Sequence, residues 1–240
     1  MSSHSEILRS FFFRGDYQIE MPRTARIVVP GVAHHIMQWG TNRQPVFQTQ
    51  GDRKVYLELL RVNCKAAGVS LLGYCLMPNH VHLVAVPEDA TALAVAMRRA
   101  NGRYSQYFNA RKLRSGHVWQ NRFFSCRLAR THLLKTLAFV ERNPVRAGLC
   151  ERAEDFEWSS AAAHLSGHDP SRMLDLGFWL EAGGAEVWTG MLGQDEGEDF
   201  RFDLRRATNG GKALGASEVE AQLLKPMVRP KEKSRRRMAA

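Results

Sequence analysis

The chain has 240 residues, of which 44% are hydrophobic and 24% charged, an ordinary globular composition with ample material for a core. Its four cysteines are widely spaced and contain no Cys-x-x-Cys pair, which argues against a disulfide framework or a zinc knuckle. No apolar run approaches the roughly 18 residues of a membrane span, and the N-terminus lacks the features of a secretory signal. We therefore expect a soluble, cytoplasmic protein with reduced core thiols at Cys64, Cys75, Cys126 and Cys150.

The residue pattern in the first third of the chain predicts a tail, a strand and a helix. Residues 1–20 are expected to be a disordered tail or a mis-assigned start. Residues 31–39 read as a buried strand on which His34 and His35 point to opposite faces, so the two cannot both join one metal site. We interpret them as structural or DNA-facing. Residues 52–67 have helical periodicity and end at Gly68, a favourable helix stop.

Residues 69–77 predict a second strand, which runs through Pro78-Asn79 into a strand that carries His80 and His82. Side chains two apart in a strand share a face, so the two imidazoles lie roughly 7 Å apart on one side. Paired neutral imidazoles suit a divalent metal ion, which needs a further ligand from a distant segment. The alternative is two partly exposed histidines on an edge strand.

The rest of the chain predicts two long helices, one strand and several short helices. A helix capped by Asp89 or Thr91 extends to about Leu113, a strand covers 120–128, and a helix covers 132–142 before Pro144. Short helices follow at 157–165, 175–181, 183–192 and 217–224, and the basic tail 225–240 is expected to be disordered. The alternation of strands and helices predicts an α+β fold, an antiparallel sheet of four to five strands with helices packed on it.

The positive charge is concentrated. Between Arg98 and Arg146 there are twelve Lys or Arg and one acid, Glu141, whereas residues 150–200 contain twelve acids and two arginines. A basic block next to the histidine strand is typical of a surface that binds a polyanion. The alternative is a solvated basic helix face.

Several motifs, which occur along the chain in the same order as in the family, resemble the HUH-type single-tyrosine (IS200-like) transposases, and specifically the REP-associated tyrosine transposases. The central motif is Met77-Pro78-Asn79-His80-Val81-His82-Leu83-Val84. The others are residues 21–26 (Met-Pro-Arg-Thr-Ala-Arg) with Pro30-Gly31, 40–47 (Gly-Thr-Asn-Arg-Gln-Pro-Val-Phe), 116–123 (Gly-His-Val-Trp-Gln-Asn-Arg-Phe), 141–149 (Glu-Arg-Asn-Pro-Val-Arg-Ala-Gly-Leu) and Trp158-Ser159-Ser160. The resemblance extends from about residue 21 to about residue 224.

The resemblance implies a ferredoxin-like HUH fold with the histidine strand central. It divides the chain into an N-terminal tail (1–20), a catalytic and DNA-binding domain (21–150), a helical C-terminal extension (151–224) and a basic tail (225–240). In such enzymes two histidines and a polar residue from a later helix hold Mg²⁺ or Mn²⁺. A tyrosine on that helix attacks single-stranded DNA and forms a phosphotyrosine intermediate.

By this resemblance His80, His82 and Asn143 are the metal ligands, and the nucleophile position, one helical turn before Asn143, is residue 139. That residue is Phe139, which lacks the hydroxyl group. Three explanations stay open: a cleavage-dead, domesticated DNA-binding protein; a substitute nucleophile, Tyr104 or Tyr107, with Tyr104 equally interpretable as a core residue; or hydrolysis by a metal-activated water.

The resemblance implies a transposase-family protein that binds single-stranded or hairpin DNA at a repeat palindrome, and that cleaves and rejoins it. One alternative is a structure-specific DNA-binding protein that does not cleave DNA. Another is a metal-dependent nuclease or an RNA-binding protein. We expect a nucleoid-associated location and no membrane partner, and the sequence leaves open whether the chain forms a homodimer. The predicted DNA-binding residues are Arg43, Arg98, Arg99, Arg103, Tyr107, Trp119, Gln120, Arg122, Arg127 and Arg146.

Overall fold

The structure is a computed structural model that describes residues 26–218. The predicted tails at 1–20 and 225–240 lie outside this range, as does most of the helix predicted at 217–224. Within 26–218, no helix is both long and apolar enough to cross a membrane. The four cysteines are free thiols, and three of them are buried.

A five-stranded sheet forms the centre of the molecule. Its strands are β1 (His34–Trp39), β2 (Val69–Met77), β3 (His80–Pro87), β4 (Phe124–Leu128) and β5 (Ala213–Leu214). The strand order is β2-β3-β1-β4-β5, and the first four pair antiparallel. This order, with helices after β1 and β3, is the ferredoxin-like arrangement that the resemblance implies. The prediction of a wholly antiparallel sheet is corrected at one edge, where β5 pairs parallel with β4.

Helices cover both faces of the sheet. They are α1 (Gln50–Ala66), α2 (Ala92–Arg111), α3 (Arg130–Glu141), α4 (Asn143–Arg146), α5 (Ala161–Ser166), α6 (Gly177–Glu181), α7 (Gly184–Leu192) and α8 (Glu198–Gly210), with short 3₁₀ turns at Thr41–Arg43 and Ala153–Asp155. Alternation along the strands assigns the faces: Ile36 and Leu83 face the core under α1 and α2, whereas Val84 and Cys126 face the core under α3 and α8.

Helix α1 shows how local sequence and tertiary contacts agree. Its N-cap Thr49 and Asp52 form a reciprocal capping box, which satisfies backbone donors in the first turn. The buried Asp52 carboxylate also accepts a hydrogen bond from Arg111 of α2 at 2.9 Å. One side chain therefore both starts α1 and ties it to α2.

Helix α8 was not predicted. The run Thr208-Asn209-Gly210-Gly211 reads as a break in the sequence, yet its first three residues complete the helix, and Gly211 ends it in the left-handed conformation (φ 64°). Glu198 and Asp199 lie in the first turn, where acids stabilise a helix. The buried face of α8 packs against β4, so tertiary burial supplies what the local pattern lacks.

A buried carboxyl group joins α3 to the C-terminal extension. Glu141, at the end of α3, accepts hydrogen bonds from Nδ1 of His164 at 2.6 Å and from Nε1 of Trp188 at 2.9 Å. Ser160 donates a third hydrogen bond to the same carboxyl group. All four side chains are buried. The partners belong to α5, its N-cap and α7, so the only acid of the basic block is a structural anchor.

We expect Glu141→Ala to destabilise the protein by about 3 kcal/mol, because it leaves the buried N–H donors of His164 and Trp188 without an acceptor. Chemical denaturation of the full-length protein measures this change. Glu151→Ala removes an exposed carboxylate and is the matched control, with an expected effect within about 0.5 kcal/mol. Equal midpoints for the two variants would contradict the anchoring role.

Candidate functional site

The two histidines of the predicted metal site lie on an interior strand. β3 is flanked by β1 and β2, so the interpretation as an edge strand is wrong. His80 and His82 share the sheet face that α3 covers, with ring centroids 4.9 Å apart. His82 is buried, whereas His80, at the start of β3, is half-buried. The prediction that both imidazoles converge on one spot is confirmed.

His80 is held by its neighbours in sequence and across the sheet. Its Nδ1 is 2.7 Å from Oδ1 of Asn79, and its ring stacks on Trp39 with centroids 4.0 Å apart. The Arg43 guanidinium lies 5.0 Å from the Trp39 ring. Burial, assisted by the positive charge of Arg43, lowers the pKa of His80 to about 4. The ring is neutral at physiological pH, and its Nε2 carries an electron pair.

His82 contacts a second buried histidine. Its Nδ1 is 2.9 Å from Nε2 of His35 on β1. Burial lowers the pKa of His35 to about 3, and burial together with neighbouring positive groups lowers the pKa of His82 well below its usual value. His34 points to the other face, as predicted, and its Nδ1 is 2.8 Å from the carbonyl oxygen of Val32, a structural contact.

The junction of α3 and α4 brings Phe139 and Asn143 to the histidines. The Phe139 ring lies perpendicular to the His82 ring, with centroids 5.9 Å apart. The Asn143 amide donates to the carbonyls of Phe139 (3.2 Å) and Val140 (3.3 Å), which leaves Oδ1 as an acceptor. Two imidazole nitrogens and one amide oxygen are donors that a divalent cation accepts, so these residues fit a metal ion.

One large cleft of about 2930 Å³ is lined by His80, His82, Phe139 and Asn143. Small-molecule pockets have volumes of about 300–1,000 Å³, so the cleft has the size for a polymer. Its rim is mainly basic, although Glu198 and Asp199 of α8 also line it. The basic lining residues are Arg26, Arg43, Arg122, Arg127, Arg146, Arg201, Arg205 and Lys212.

The structure divides the predicted DNA-binding residues into two groups. The group that lines the cleft is Arg43, Trp119, Gln120, Arg122, Arg127 and Arg146. The others are on α2, which packs on the opposite face of the sheet: Arg98, Arg99 and Arg103 are exposed there, and the Tyr107 hydroxyl donates to Asp52. The expectation of one continuous basic surface beside the histidines is corrected, because the sheet separates α2 from them.

Two residues that do line the cleft are already engaged. The indole N–H of Trp119 donates to the carbonyl of Asn101 at 3.2 Å, and its ring packs in an aromatic core cluster with Tyr56 and Tyr104. Arg146 pairs with Glu196 at 3.1 Å, and its guanidinium lies 4.3 Å from the centre of the Phe139 ring. These contacts use the groups that would otherwise bind bases and phosphates.

Tyr104 is not brought to the histidines. It is fully buried among the residues under α1 and α2, and its hydroxyl donates to the carbonyl of Val46 at 2.5 Å. Burial and the nearby Asp52 raise its pKa. Tyr56, Tyr74 and Tyr107 pack in the same core. Among residues 26–218 no tyrosine lines the cleft.

Several residues of the site were not predicted from the sequence. His35, Met37 and Trp39 alternate along β1 on the histidine side, and strand periodicity would have indicated this once β1 was paired with β3. Arg26 lies in a predicted family motif, but its side chain was not assigned a role. The α8 residues Arg201 and Arg205 had no sequence signal, because α8 itself was not predicted.

Part of the chain matches a known protein family. The family model described as "Transposase IS200 like" matches residues 28–143, just under half of the chain. The predicted resemblance to the IS200-like transposases is therefore confirmed for this segment. No curated protein matches the sequence.

Two solved structures are similar to this chain. One is the structure of a REP-associated tyrosine transposase bound to a REP hairpin, with a TM-score of 0.53 and 15% identity over 62% of this chain and 89% of that chain. It confirms the predicted α+β fold. The other is a putative transposase from Deinococcus radiodurans, with a TM-score of 0.36 and 14% identity over 51% of this chain and 97% of that chain, a likeness too weak to support a conclusion.

Proposed function

We propose that this protein is a REP-associated member of the family that binds single-stranded or hairpin DNA in the basic cleft. The observation that carries the proposal is the convergence of His80, His82, Phe139 and Asn143 in one cleft lined by arginines. The related protein of similar fold is bound to a REP hairpin, which supports a hairpin as the ligand here.

We further propose that His80, His82 and Asn143 hold Mg²⁺ or Mn²⁺. A bound cation supplies charge neutralisation at a phosphate oxygen. The chain itself keeps the three donor atoms available for the cation. Both imidazoles are neutral, each uses Nδ1 in a hydrogen bond within the protein, and Asn143 keeps Oδ1 as an acceptor.

The arginines of the cleft position the nucleic acid. Arg122 is exposed and Arg127 is half-buried, and Arg43 extends the basic rim next to Trp39. Guanidinium groups bind phosphate through paired N–H donors, so such a rim holds a backbone without reading its sequence.

Phe139 decides between the two candidate functions. A phosphotyrosine intermediate needs a phenol oxygen at the scissile phosphate, and residue 139, to which the family resemblance assigns this role, is a phenylalanine. Tyr104 and Tyr107 lie on the other side of the sheet. We therefore favour a DNA-binding protein that has lost covalent cleavage. Active strand transfer is the second candidate, favoured by the match of residues 28–143 to the IS200-like transposase model.

The metal proposal predicts that His80→Ala and His82→Ala each weaken Mn²⁺ binding to the full-length protein, because each removes one of three donors. Calorimetric titration measures the affinity. His168→Ala removes an exposed histidine far from the proposed donor set in sequence and serves as the control. If all of these variants bind Mn²⁺ with the wild-type isotherm, the metal is held elsewhere.

The cleft proposal predicts that Arg43→Ala combined with Arg122→Ala lowers the affinity for a hairpin oligonucleotide and reduces the salt slope of log K by about 1.4, or 0.7 per lost single-strand contact. The matched control is Arg98→Ala combined with Arg99→Ala, which removes equal charge from α2. Fluorescence anisotropy across a salt series gives the slopes. A larger loss from the α2 pair would place the DNA on the other face.

The nucleophile proposal predicts that the wild-type protein forms no covalent adduct with single-stranded DNA in Mn²⁺, and that Phe139→Tyr restores it. Removing a nucleophile costs a factor on the order of 10⁶ in a well-studied hydrolase, whereas DNA binding should barely change. A denaturing gel with labelled oligonucleotide detects the adduct.

Phe123→Tyr adds the same hydroxyl to another aromatic ring of the cleft and is the matched control, with no adduct expected. An adduct in the wild-type protein, lost in Tyr104→Phe, would show that the nucleophile has moved. Strand cleavage without an adduct would instead indicate hydrolysis by water.

A further inference from the structure

A continuous row of hydrogen bonds leads from α8 to the proposed metal ligand His82. Nδ1 of His82 is 2.9 Å from Nε2 of His35, and Nδ1 of His35 is 2.8 Å from Oγ1 of Thr208. The exposed fractions of these residues are 4% for His82, 2% for His35 and 1% for Thr208. The row therefore crosses from α8 through β1 to β3 along side chains that are almost fully buried.

The end of the row at Thr208 fixes the direction of every proton in it. The Thr208 hydroxyl donates to the backbone carbonyl of Leu204 at 2.7 Å, and a carbonyl can only accept. Oγ1 must then accept from the Nδ1–H of His35. A neutral imidazole has one ring proton, so Nε2 of His35 is an acceptor and His82 donates to it from Nδ1.

The remaining contact of Thr208 is compatible with this direction. Sγ of Cys126 is 3.3 Å from Oγ1 of Thr208. Burial raises the pKa of the Cys126 thiol to about 11, so the thiol keeps its proton and can donate it to the second electron pair of Oγ1. The hydroxyl therefore gives one hydrogen bond and accepts two.

We propose that Thr208 and His35 are positioning residues that hold His82 in its Nδ1–H tautomer, with the electron pair of Nε2 presented to the cleft. This inference rests on the proposed metal site and adds to it the origin of the ligand's tautomer. Asn79 does the same for His80, since its amide nitrogen donates to the Arg43 carbonyl and its oxygen faces Nδ1 of His80.

The proposal makes the C-terminal extension part of the functional site. Thr208 belongs to α8, whereas the family match ends at residue 143. The matched segment alone contains both metal histidines and His35, but it lacks the hydroxyl group that orients them.

The test is the tautomer of His82 in the metal-free, full-length protein, read from long-range ¹H–¹⁵N correlation spectra of the imidazole rings. In the wild type, Nδ1 of His82 should be protonated and Nε2 unprotonated. Thr208→Val keeps the shape and removes the hydroxyl, so the His35 ring is released and His82 should show a mixture of tautomers. Thr208→Ser should restore the wild-type spectrum.

Thr136→Val is the matched control for lost stability. Thr136 is equally buried and its hydroxyl donates to a carbonyl four residues earlier in α3, but it is not part of the row. Its spectrum at His82 should be that of the wild type. An unprotonated Nδ1 on His82 in the wild type, or an unchanged tautomer in Thr208→Val, would overturn the proposal. The first of these results is measured on the wild-type protein alone and does not depend on whether a variant folds.

A second readout separates this inference from the proposed function. Thr208→Val should weaken Mn²⁺ binding by about 10- to 100-fold, the usual effect of losing a group behind a metal ligand, and Thr208→Ser should recover it. Wild-type protein that shows the predicted tautomer and binds no Mn²⁺ would overturn the metal site and support the hydrogen-bonded row.

Discussion

Histidines buried on an interior strand must find hydrogen-bond partners, and much of this structure follows from that need. Burial disfavours the charged imidazolium, so these rings are neutral, and a neutral ring without a partner would leave a polar atom unsatisfied in the core. His82 meets His35, and His35 meets Thr208. The position of α8 against β4 therefore supplies the hydrogen-bond partner of His35, which in turn contacts His82 on β3.

The sheet separates two environments with different roles. The side under α1 and α2 is a packed aromatic core in which Tyr56, Tyr104 and Trp119 contact one another, with Asp52 tying the two helices together. The side under α3 and α8 carries the polar site and the cleft. Because successive side chains of a strand point to opposite faces, the same strands supply residues to the aromatic core on one face and to the polar site on the other.

The C-terminal extension contacts the segment that matches the family model at α3, at β4 and along the cleft. The Glu141 carboxyl group binds α5 and α7 to the end of α3, the same helix that presents Phe139 to the cleft. β5 extends the sheet next to β4, and α8 contributes basic residues to the cleft. The acids Asp195 and Glu196 pair with Arg142 of the basic block, and Glu196 also pairs with Arg146. The inversion of charge along the sequence thus becomes ion pairing in space.

The sequence by itself determined what depends on local periodicity and residue identity. The alternation of side chains in a strand placed His80 and His82 on one face, and the positions of β2, α1 and α2 followed from their hydrophobic patterns. The sequence also showed that residue 139, the nucleophile position by resemblance, is a phenylalanine. These properties are decided within a single element, since the backbone geometry of a strand or helix sets the direction of its side chains.

Only the tertiary structure decided which elements meet. It put Tyr104 in the core, turned Arg98 away from the histidines, and brought Thr208 to His35 across 173 positions of sequence. Periodicity shows that a face is buried but not which element covers it. That choice depends on the packing of the whole chain, and here it supplied the partner that orients His82.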